Sequence, residues 1–325
     1  MKPVALGIAG IAVALAMTTS ASAVEDEAVA ARQVQIIRDC PTCPEIVVVP
    51  AGKFMMGTPG GAEEVDDDTG ETPQIAITIE KAYGLGKTEV TTTQFTEFVN
   101  QSGHKIEPGC RLWNNRWLFD PKSDWRGAGM MRTPRPNSPA ICVSWSDAQA
   151  YAAWLSKKTG KKYRLPSESE WEYAARAGTT APRYFGVNSF EGVSISLACE
   201  NANVYDVSAQ TEYPLPYPYA RCKDNAADLA PVGSYKPNAF GLYDMIGNVS
   251  EWVEDCYTAS YWGRAPDQRA WTWAGGCEAR GVRGGSWISR PADARSAKRD
   301  KAPTDTRTSY IGFRVARDMS EGEAK

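Results

Sequence analysis

Eight cysteines spread along 325 residues constrain this chain more than any other feature. They stand at Cys40, Cys43, Cys110, Cys142, Cys199, Cys222, Cys256 and Cys277. An even number suits a disulfide framework in an oxidising compartment. Sequence alone allows about a hundred pairings, but the order suggests four local ones: Cys40–Cys43, Cys110–Cys142, Cys199–Cys222 and Cys256–Cys277. Each would close one surface excursion, and each longer loop would contribute about 2–4 kcal/mol, mostly by constraining the unfolded chain. Cys40-Pro41-Thr42-Cys43 also has the spacing of a dithiol oxidoreductase. That motif normally opens a helix after a strand, whereas Pro44 and the apolar run Ile46-Val47-Val48-Val49 follow here. A structural disulfide is the better reading. The oxidising compartment also disfavours zinc held by thiolates.

The start of the chain agrees with export. Lys2 supplies a positive end, Val4 to Met17 an apolar run, and Ala21-Ser22-Ala23 a small-residue cleavage site. The run falls short of the roughly 20 apolar residues that a spanning helix needs. Residues 1–23 therefore read as a signal peptide and 24–45 as a lead-in segment. The destination is the periplasm or the extracellular space, with no membrane span after cleavage. Charge is balanced, 36 basic against 39 acidic residues, which argues against a nucleic-acid partner. His104 is the single histidine. A Ser-His-Asp triad could use no other, and a multi-histidine zinc or iron site is excluded. Its polar setting, Gln101 to Lys105, suggests a solvated or capping role.

Local patterns give a coarse map. Ile46-Val47-Val48-Val49 is a short buried strand ended by Pro50-Ala51-Gly52, and Lys53 to Gly57 a second strand. A Gly- and Asp-rich loop spans 58–74; its Asp66-Asp67-Asp68 run lacks calcium-loop spacing and reads as a solvated acidic stretch. Ile75, Ile77 and Ile79 alternate with polar or small residues, as in a half-buried strand. Thr91 starts a short helix with Phe95, Phe98 and Val99 on one face. Ser144 or Ser146 caps a second, from Asp147 to about Lys158, stopped by Gly160. Ser167 and Glu170 form a capping box for a third, ending near Arg176. Periodicity nearly vanishes after residue 180, so helices are expected in the first half only. The chain reads as one α+β domain with low regular secondary structure, stapled by disulfides and filled by 11 Trp and 14 Tyr.

Several segments together resemble the formylglycine-generating enzyme (sulfatase-modifying factor) family. They are Val48 to Gly57, Lys87-Thr88-Glu89-Val90-Thr91, Val143 to Ala148, Arg164 to Glu172 and Asn238 to Asp244. Gly247-Asn248-Val249-Ser250-Glu251-Trp252, Arg283-Gly284-Gly285-Ser286-Trp287 and Gly312 to Arg317 complete the set. They occur in the family's order over residues 46–318, leaving 319–325 as a C-terminal tail. The resemblance implies a single formylglycine-generating-enzyme-like domain related to C-type lectins.

The family's catalysts bind copper through two cysteines after the Gly-Gly-Ser segment and use oxygen to convert a substrate cysteine to formylglycine. No cysteine follows Cys277 here, and the stretch from Ser286 to Arg295 is shorter than in those enzymes. Cu(I) needs soft ligands, so copper and formylglycine formation are not expected. Ser250 also stands where the family usually has an aromatic residue. An ergothioneine-forming branch holds iron with several histidines, which a single histidine rules out. A third branch, exported from bacteria, matures the chromophore of the siderophore pyoverdine. The opening from Asp39 to Glu45 and the cysteine pattern look like such exported members.

The resemblance also implies two structural calcium sites. One would use Asn203 and Asp224 side chains with Val204 and Ala226 carbonyls. The other would use Asp244 and Glu251 side chains with Gly247 and Val249 carbonyls. Hard oxygen ligands suit calcium; the alternatives are an Asx-turn at Asp244 and a salt bridge at Glu251. A pocket is expected where Arg283, Ser286, Trp287, Arg290 and Arg295 meet. The arginines could clamp a carboxylate or sulfate, Trp287 could stack on a substrate, and Ser286 could donate a hydrogen bond. The competing reading makes Gly284-Gly285 a backbone turn and Trp287 a core residue. Two functions follow. One is an enzyme that modifies a peptide or peptide-derived metabolite without the copper–cysteine pair. The other is a calcium-stabilised module that binds a peptide, a glycan or an envelope protein partner without turnover.

Overall fold

Two antiparallel-dominated sheets organise the molecule. The computed structural model describes residues 34–59, 70–113, 116–126, 135–186, 195–320 and 322–323. The expected signal peptide at 1–23, the first part of the lead-in and Asp66-Asp67-Asp68 lie outside the described residues. The five-stranded sheet runs Ile36–Ile37, Ile46–Val49, Tyr83–Gly86, Ala316–Asp318, Tyr163–Arg164 in spatial order, all neighbours antiparallel. The four-stranded sheet runs Arg299–Ala302, Arg280–Arg283, Ser250–Cys256, Ile311–Gly312, with the last pair parallel. Two hairpins stand beside them, Gly52–Met56 with Ile75–Ile79 and Cys110–Trp113 with Trp117–Asp120. Helix takes 19% and strand 22% of the described residues, so loops carry most of them and must be pinned.

Local sequence explains the first three helices. Thr91 caps α1 (Thr92–Ser102) in a reciprocal box with Gln94, and Gly103 ends it at φ 67°. Ser144, not Ser146, caps α2 (Trp145–Thr159) in a box with Asp147, and Gly160 ends it. Ser167 and Glu170 box α3 (Glu168–Arg176). α1 and α2 bury Phe95, Phe98 and Tyr151 against Phe313. A second core lies where Val47, Tyr83 and Leu85 meet Trp171 of α3 and Val253.

Helices are not confined to the first half. α4 (Ile195–Asn201) and α5 (Val207–Glu212) are too short for a 3.6-residue pattern to show. Asp206 caps α5 by accepting from Ser208 and Ala209 amides. The lead-in is also part of the domain from Val34 onward. Its Ile36–Ile37 pairs with Ile46–Val49, and Asp39 accepts from Tyr163 Oη at 2.5 Å and Arg317 Nε at 2.7 Å. Arg317 has 0% side-chain exposure, so its charge requires such partners. In the expected C-terminal tail, Glu323 supplies a second, 2.6 Å from Arg317 Nη2.

Four disulfides close in chain order: Cys40–Cys43, Cys110–Cys142, Cys199–Cys222 and Cys256–Cys277. No helix among the described residues is long and apolar enough to cross a membrane.

Candidate functional site

The strand Arg280–Arg283 runs into a turn that only glycine can make. Gly284 and Gly285 have φ of 93° and 72°, in the left-handed region that side chains disfavour. A Cβ on Gly284 would also stand 3.0 Å from the Trp171 ring and 3.2 Å from the Met245 carbonyl. The turn is pinned to the 247–248 backbone, Gly247 N donating to Gly284 O and Trp287 N to Asn248 O. This seats Ser286 and Ser289 together. Ser286 N donates to Ser289 Oγ at 2.9 Å, and the two hydroxyl oxygens lie 3.3 Å apart.

Aromatic side chains cluster around the two residues between these serines, Trp287 and Ile288. Trp287 is 4% exposed and packs on Tyr213, ring centroids 5.4 Å apart. Its role is core packing, the second of the two readings open from sequence. Tyr217 Oη donates to Ile288 O at 2.6 Å. Tyr310 packs against this cluster and carries Trp117 on its other side at 5.0 Å; Trp117 in turn meets Trp113 at 5.3 Å. Trp117 is 38% exposed, so the Cys110–Asp120 hairpin extends an aromatic surface from the Gly-Gly-Ser turn to solvent. Trp113 Nε1 and Ser309 Oγ are buried without a hydrogen-bond partner among the described residues.

The arginine clamp expected here is not built. Arg283 has 0% side-chain exposure and is consumed by Glu168 at 3.0 Å and Glu172 at 2.5 Å, with its ring neighbour Tyr261 accepting a further bond. Arg295 forks onto both oxygens of Glu71 at 2.6 and 2.8 Å. Arg290 is half exposed and pairs with Asp293. The physical reason is burial: guanidinium groups this far from water need carboxylates. Arg299 and Arg264 also converge on Glu168, making a charged core behind the turn. Together the arginines hold the Glu168 carboxyl down to about 2 against the opposing effect of burial, the largest single influence.

His104 and Ser144 are close but form no triad. His104 Nε2 lies 2.9 Å from Asp147 Oδ1, while Ser144 Oγ donates to Asp147 Oδ2 at 2.7 Å. Both groups spend themselves on the carboxylate, so the imidazole is not placed to take the serine proton.

The loop carrying Asp244, Gly247, Val249 and Glu251 is tightly wound, with φ of 54° at Asp244, 82° at Gly247 and 57° at Asn248. Its fit to a cation is uneven. Asp244 Oδ2 accepts from Gly233 N at 2.6 Å, and Oδ1 is buried without a partner among the described residues. Burial pushes this carboxyl up to about 6. Glu251, by contrast, forks onto Arg314 at 2.7 Å through both oxygens and accepts from Trp171 Nε1 at 2.8 Å. Asn203 sits against the same loop: Asn248 N donates to Asn203 O at 2.7 Å. Its Oδ1 is buried and unpartnered among the described residues. Asp224 is tied differently, accepting from Ala226 N at 2.7 Å and Tyr235 Oη at 2.8 Å. Burial, with Asp206 beside it, raises Asp224 to about 6. Val204 is fully buried and Ala226 borders a cavity of about 750 Å³ with Asp224. The donor set is oxygen throughout, which suits a hard cation, and two of its buried oxygens, Asp244 Oδ1 and Asn203 Oδ1, have no partner among the described residues.

A model of the "sulfatase-modifying factor enzyme 1-like domain" matches residues 33–319. The chain belongs to this family. Formylglycine-generating enzyme of Streptomyces coelicolor is 31% identical over 311 residues, covering 86% of this chain and 91% of that protein. "Inactive C-alpha-formylglycine-generating enzyme 2" of Mus musculus is 29% identical, covering 84% and 85%. The solved structure of PvdO from Pseudomonas aeruginosa matches with 36% identity and a TM-score of 0.74, covering 89% of this chain and all of that one, 100%.

Within this sulfatase-modifying factor fold, sequence reading found the turn and the 244–251 loop but missed their neighbours. Trp113, Trp117 and Tyr310 come from a hairpin of two four-residue strands and a loop, with no periodicity to flag them. Glu89 lay inside a quoted motif yet drew no role. Its carboxyl is 1% exposed, accepts from Asn248 Nδ2 at 2.9 Å, and is pushed well up by burial and then by Asp244. A buried acid two residues from Lys87 was the available signal.

Proposed function

We propose that this sulfatase-modifying-factor-like protein is exported and modifies a peptide or peptide-derived metabolite by chemistry that uses no cysteine pair. The observation that carries this reading is the Gly284–Gly285 turn. It holds the buried Ser286 against the partly exposed Ser289 and sets Trp287 into the neighbouring aromatic cluster, in a chain whose eight cysteines are all paired. No thiolate is left to hold Cu(I), while hydroxyls, indoles and phenols remain to bind and orient a substrate. Four disulfides support an oxidising destination, periplasmic or extracellular. Calcium held by the 244–251 loop and its neighbours supports the scaffold in this reading, neutralising carboxylates that burial otherwise penalises. It carries no reaction step.

The second reading is a calcium-stabilised module that binds peptide or glycan without turnover. Its specific support is the arginine set: Arg283, Arg290 and Arg295 each pair with a carboxylate of the chain itself.

The two are separated by disrupting the gene in its natural host and comparing exported peptides and peptide-derived metabolites by mass spectrometry. A precursor that accumulates at a fixed mass offset, and is converted by the purified protein but not by its Trp117→Ala variant, supports the enzyme. An unchanged profile with saturable binding of an exported peptide or glycan supports the module and overturns the first reading.

A further inference from the structure

We propose that Cys40–Cys43 is a thiol–disulfide exchange site that takes the thiol pair of another polypeptide, with Cys40 as the sulfur attacked. This goes beyond the reading above. The site shares no residue with the Gly284–Gly285 turn, and either proposal can fail without the other.

The bridge closes as expected, but it is the least of the four as a staple. Its cysteines are 3 residues apart, whereas the other bridges span 21, 23 and 32. The turn is already closed by Cys43 N donating to Cys40 O at 3.1 Å. The segment is tied to the domain by other means: Ile36 pairs with Val47, Ile37 with Ile46, and Asp39 accepts from Arg317 and Tyr163. Opening the bridge therefore cuts no element of the fold loose.

The two sulfurs are placed unequally. Cys43 is 4% exposed and belongs to the core cluster around Ile46 and Phe98. Cys40 is half-buried and packs only against the edge of that cluster. Its Sγ meets Thr42 Oγ1 at 3.7 Å in an exposed contact. An incoming thiolate can reach one sulfur and not the other, and access decides which is attacked.

Thr42 gives the reduced site a way to hold a thiolate. Its hydroxyl donates to Glu97 Oε1 at 3.0 Å and accepts from Lys158 Nζ at 3.3 Å. Glu97 Oε1 keeps two further donors, Gln101 Nε2 at 2.9 Å and Lys158 Nζ at 2.5 Å. It loses little if the hydroxyl turns to the Cys40 sulfur. The ammonium bonded to Thr42 strengthens that donor, and a nearby cation favours thiolate over thiol. The acids next along the chain are already paired, Asp39 with Arg317 and Glu45 with Arg38 and Lys87.

A groove beside the bridge supplies a seat. A cavity of about 580 Å³ is lined by Thr42 and Cys43 together with Thr91, Thr93, Gln94 and Asn137. Hydroxyls and amides offer both donors and acceptors, as an extended polypeptide backbone requires.

The exchange balances between the two proteins. A partner thiolate attacks Cys40 Sγ and a new sulfur–sulfur bond forms. The Cys40–Cys43 bond breaks, and its electron pair leaves on Cys43, which takes a proton from solvent. The partner's second thiolate then attacks its own sulfur in the mixed disulfide and releases Cys40 as thiolate. The partner loses two electrons, and the bridge gains them.

The test is equilibration of the folded full chain in mixtures of reduced and oxidised glutathione, followed by acid quenching and mapping of modified cysteines by peptide mass spectrometry. Cys40–Cys43 should open at a glutathione ratio at least about tenfold more oxidising than any other bridge needs, with the trapped glutathione on Cys40. In the reduced site, Thr42→Val should slow alkylation of Cys40 by iodoacetamide at least about threefold. Reduced, unfolded ribonuclease, supplied as the polypeptide dithiol, should lose one thiol pair for each bridge opened, faster per thiol than glutathione reacts. A bridge that opens only with the other three, or that carries glutathione on Cys43, overturns the site. Faster reaction with glutathione than with ribonuclease overturns the polypeptide partner and makes a small thiol the reductant. An unchanged alkylation rate in Thr42→Val overturns the part given to Thr42.

Discussion

Arg295 and Glu71 lie 224 residues apart in sequence and meet as a bidentate buried pair, at 2.6 and 2.8 Å. The pair ties the end of the 58–74 loop to the segment after the Gly-Gly-Ser turn. Removing one partner leaves the other charged and dry. Arg295→Met or Glu71→Gln should each cost about 3–5 kcal/mol, read by urea denaturation. The double substitution Arg295→Met/Glu71→Leu should cost less than the two singles added. Strict additivity in the cycle would show that the two side chains are not coupled.

The charged core sets an acid limit on stability. Glu168 is held at about 2 and Glu71 below the usual carboxylate range, in each case by arginines that outweigh the effect of burial. A depressed folded value means that the stabilisation is complete above the unfolded value near 4.5. It is lost as pH falls toward about 2. Glu168 should contribute on the order of 2–4 kcal/mol at neutral pH. Denaturation midpoints from pH 7 to 2.5 should be flat to about pH 5 and then fall. Glu168→Gln should flatten the acid limb; an unchanged limb would mean that this cluster is not what acid breaks.

The disulfides should differ in value by loop length. Cys110–Cys142 spans a separation of 32 and Cys40–Cys43 only 3. In the chain-entropy account the first is worth about 4 kcal/mol and the second about 2 kcal/mol. Paired Cys→Ala variants, compared by denaturation under non-reducing conditions, should keep that order. A larger loss at Cys40–Cys43 would give the short bridge a role beyond restraint.

What sequence made legible was local. Thr91 with Gln94, Ser144 with Asp147 and Ser167 with Glu170 each lie three residues apart, and the backbone between them enforces the helix start. The glycine pair at 284–285 and the cysteine order belong to the same class. What remained hidden depends on partners far along the chain. Arg283 and Arg295 looked like ligand-binding arginines because Glu172 and Glu71 stand 111 and 224 residues away. Glu89 is 159 residues from Asn248, which orients it. α4 and α5 escaped because six or seven residues complete too few turns to show a period.

The 244–251 loop depends on a glycine for contact as well as conformation. Gly247 has φ of 82°, and a Cβ there would stand 2.2 Å from the Asn203 carbonyl oxygen. That oxygen also accepts from Asn248 N, so the clash cannot be relieved without moving the neighbouring hydrogen bond. Gly247→Ala should cost at least about 2 kcal/mol and should weaken any cation bound by this loop. Gly263 has the same sign of φ, 81°, but open space around it. Gly263→Ala is the control, expected to show strain alone, on the order of 1 kcal/mol.

Trp117 separates binding from folding. It lies at the outer edge of the aromatic surface, 38% exposed, against Trp113 and Tyr310. Trp287 lies at the inner edge, 4% exposed, against Tyr213. Truncating the buried ring creates a cavity, so Trp287→Ala should cost about 3–5 kcal/mol. Truncating the outer ring removes mainly contact area that a ligand would use, so Trp117→Ala should cost about 1 kcal/mol. If this surface binds the substrate, Trp117→Ala should weaken binding or turnover at least about tenfold with Tm nearly unchanged, since aromatic anchors dominate such contacts. Equal loss of stability in both variants would make the whole surface a core, and the binding site would have to be sought elsewhere on the molecule.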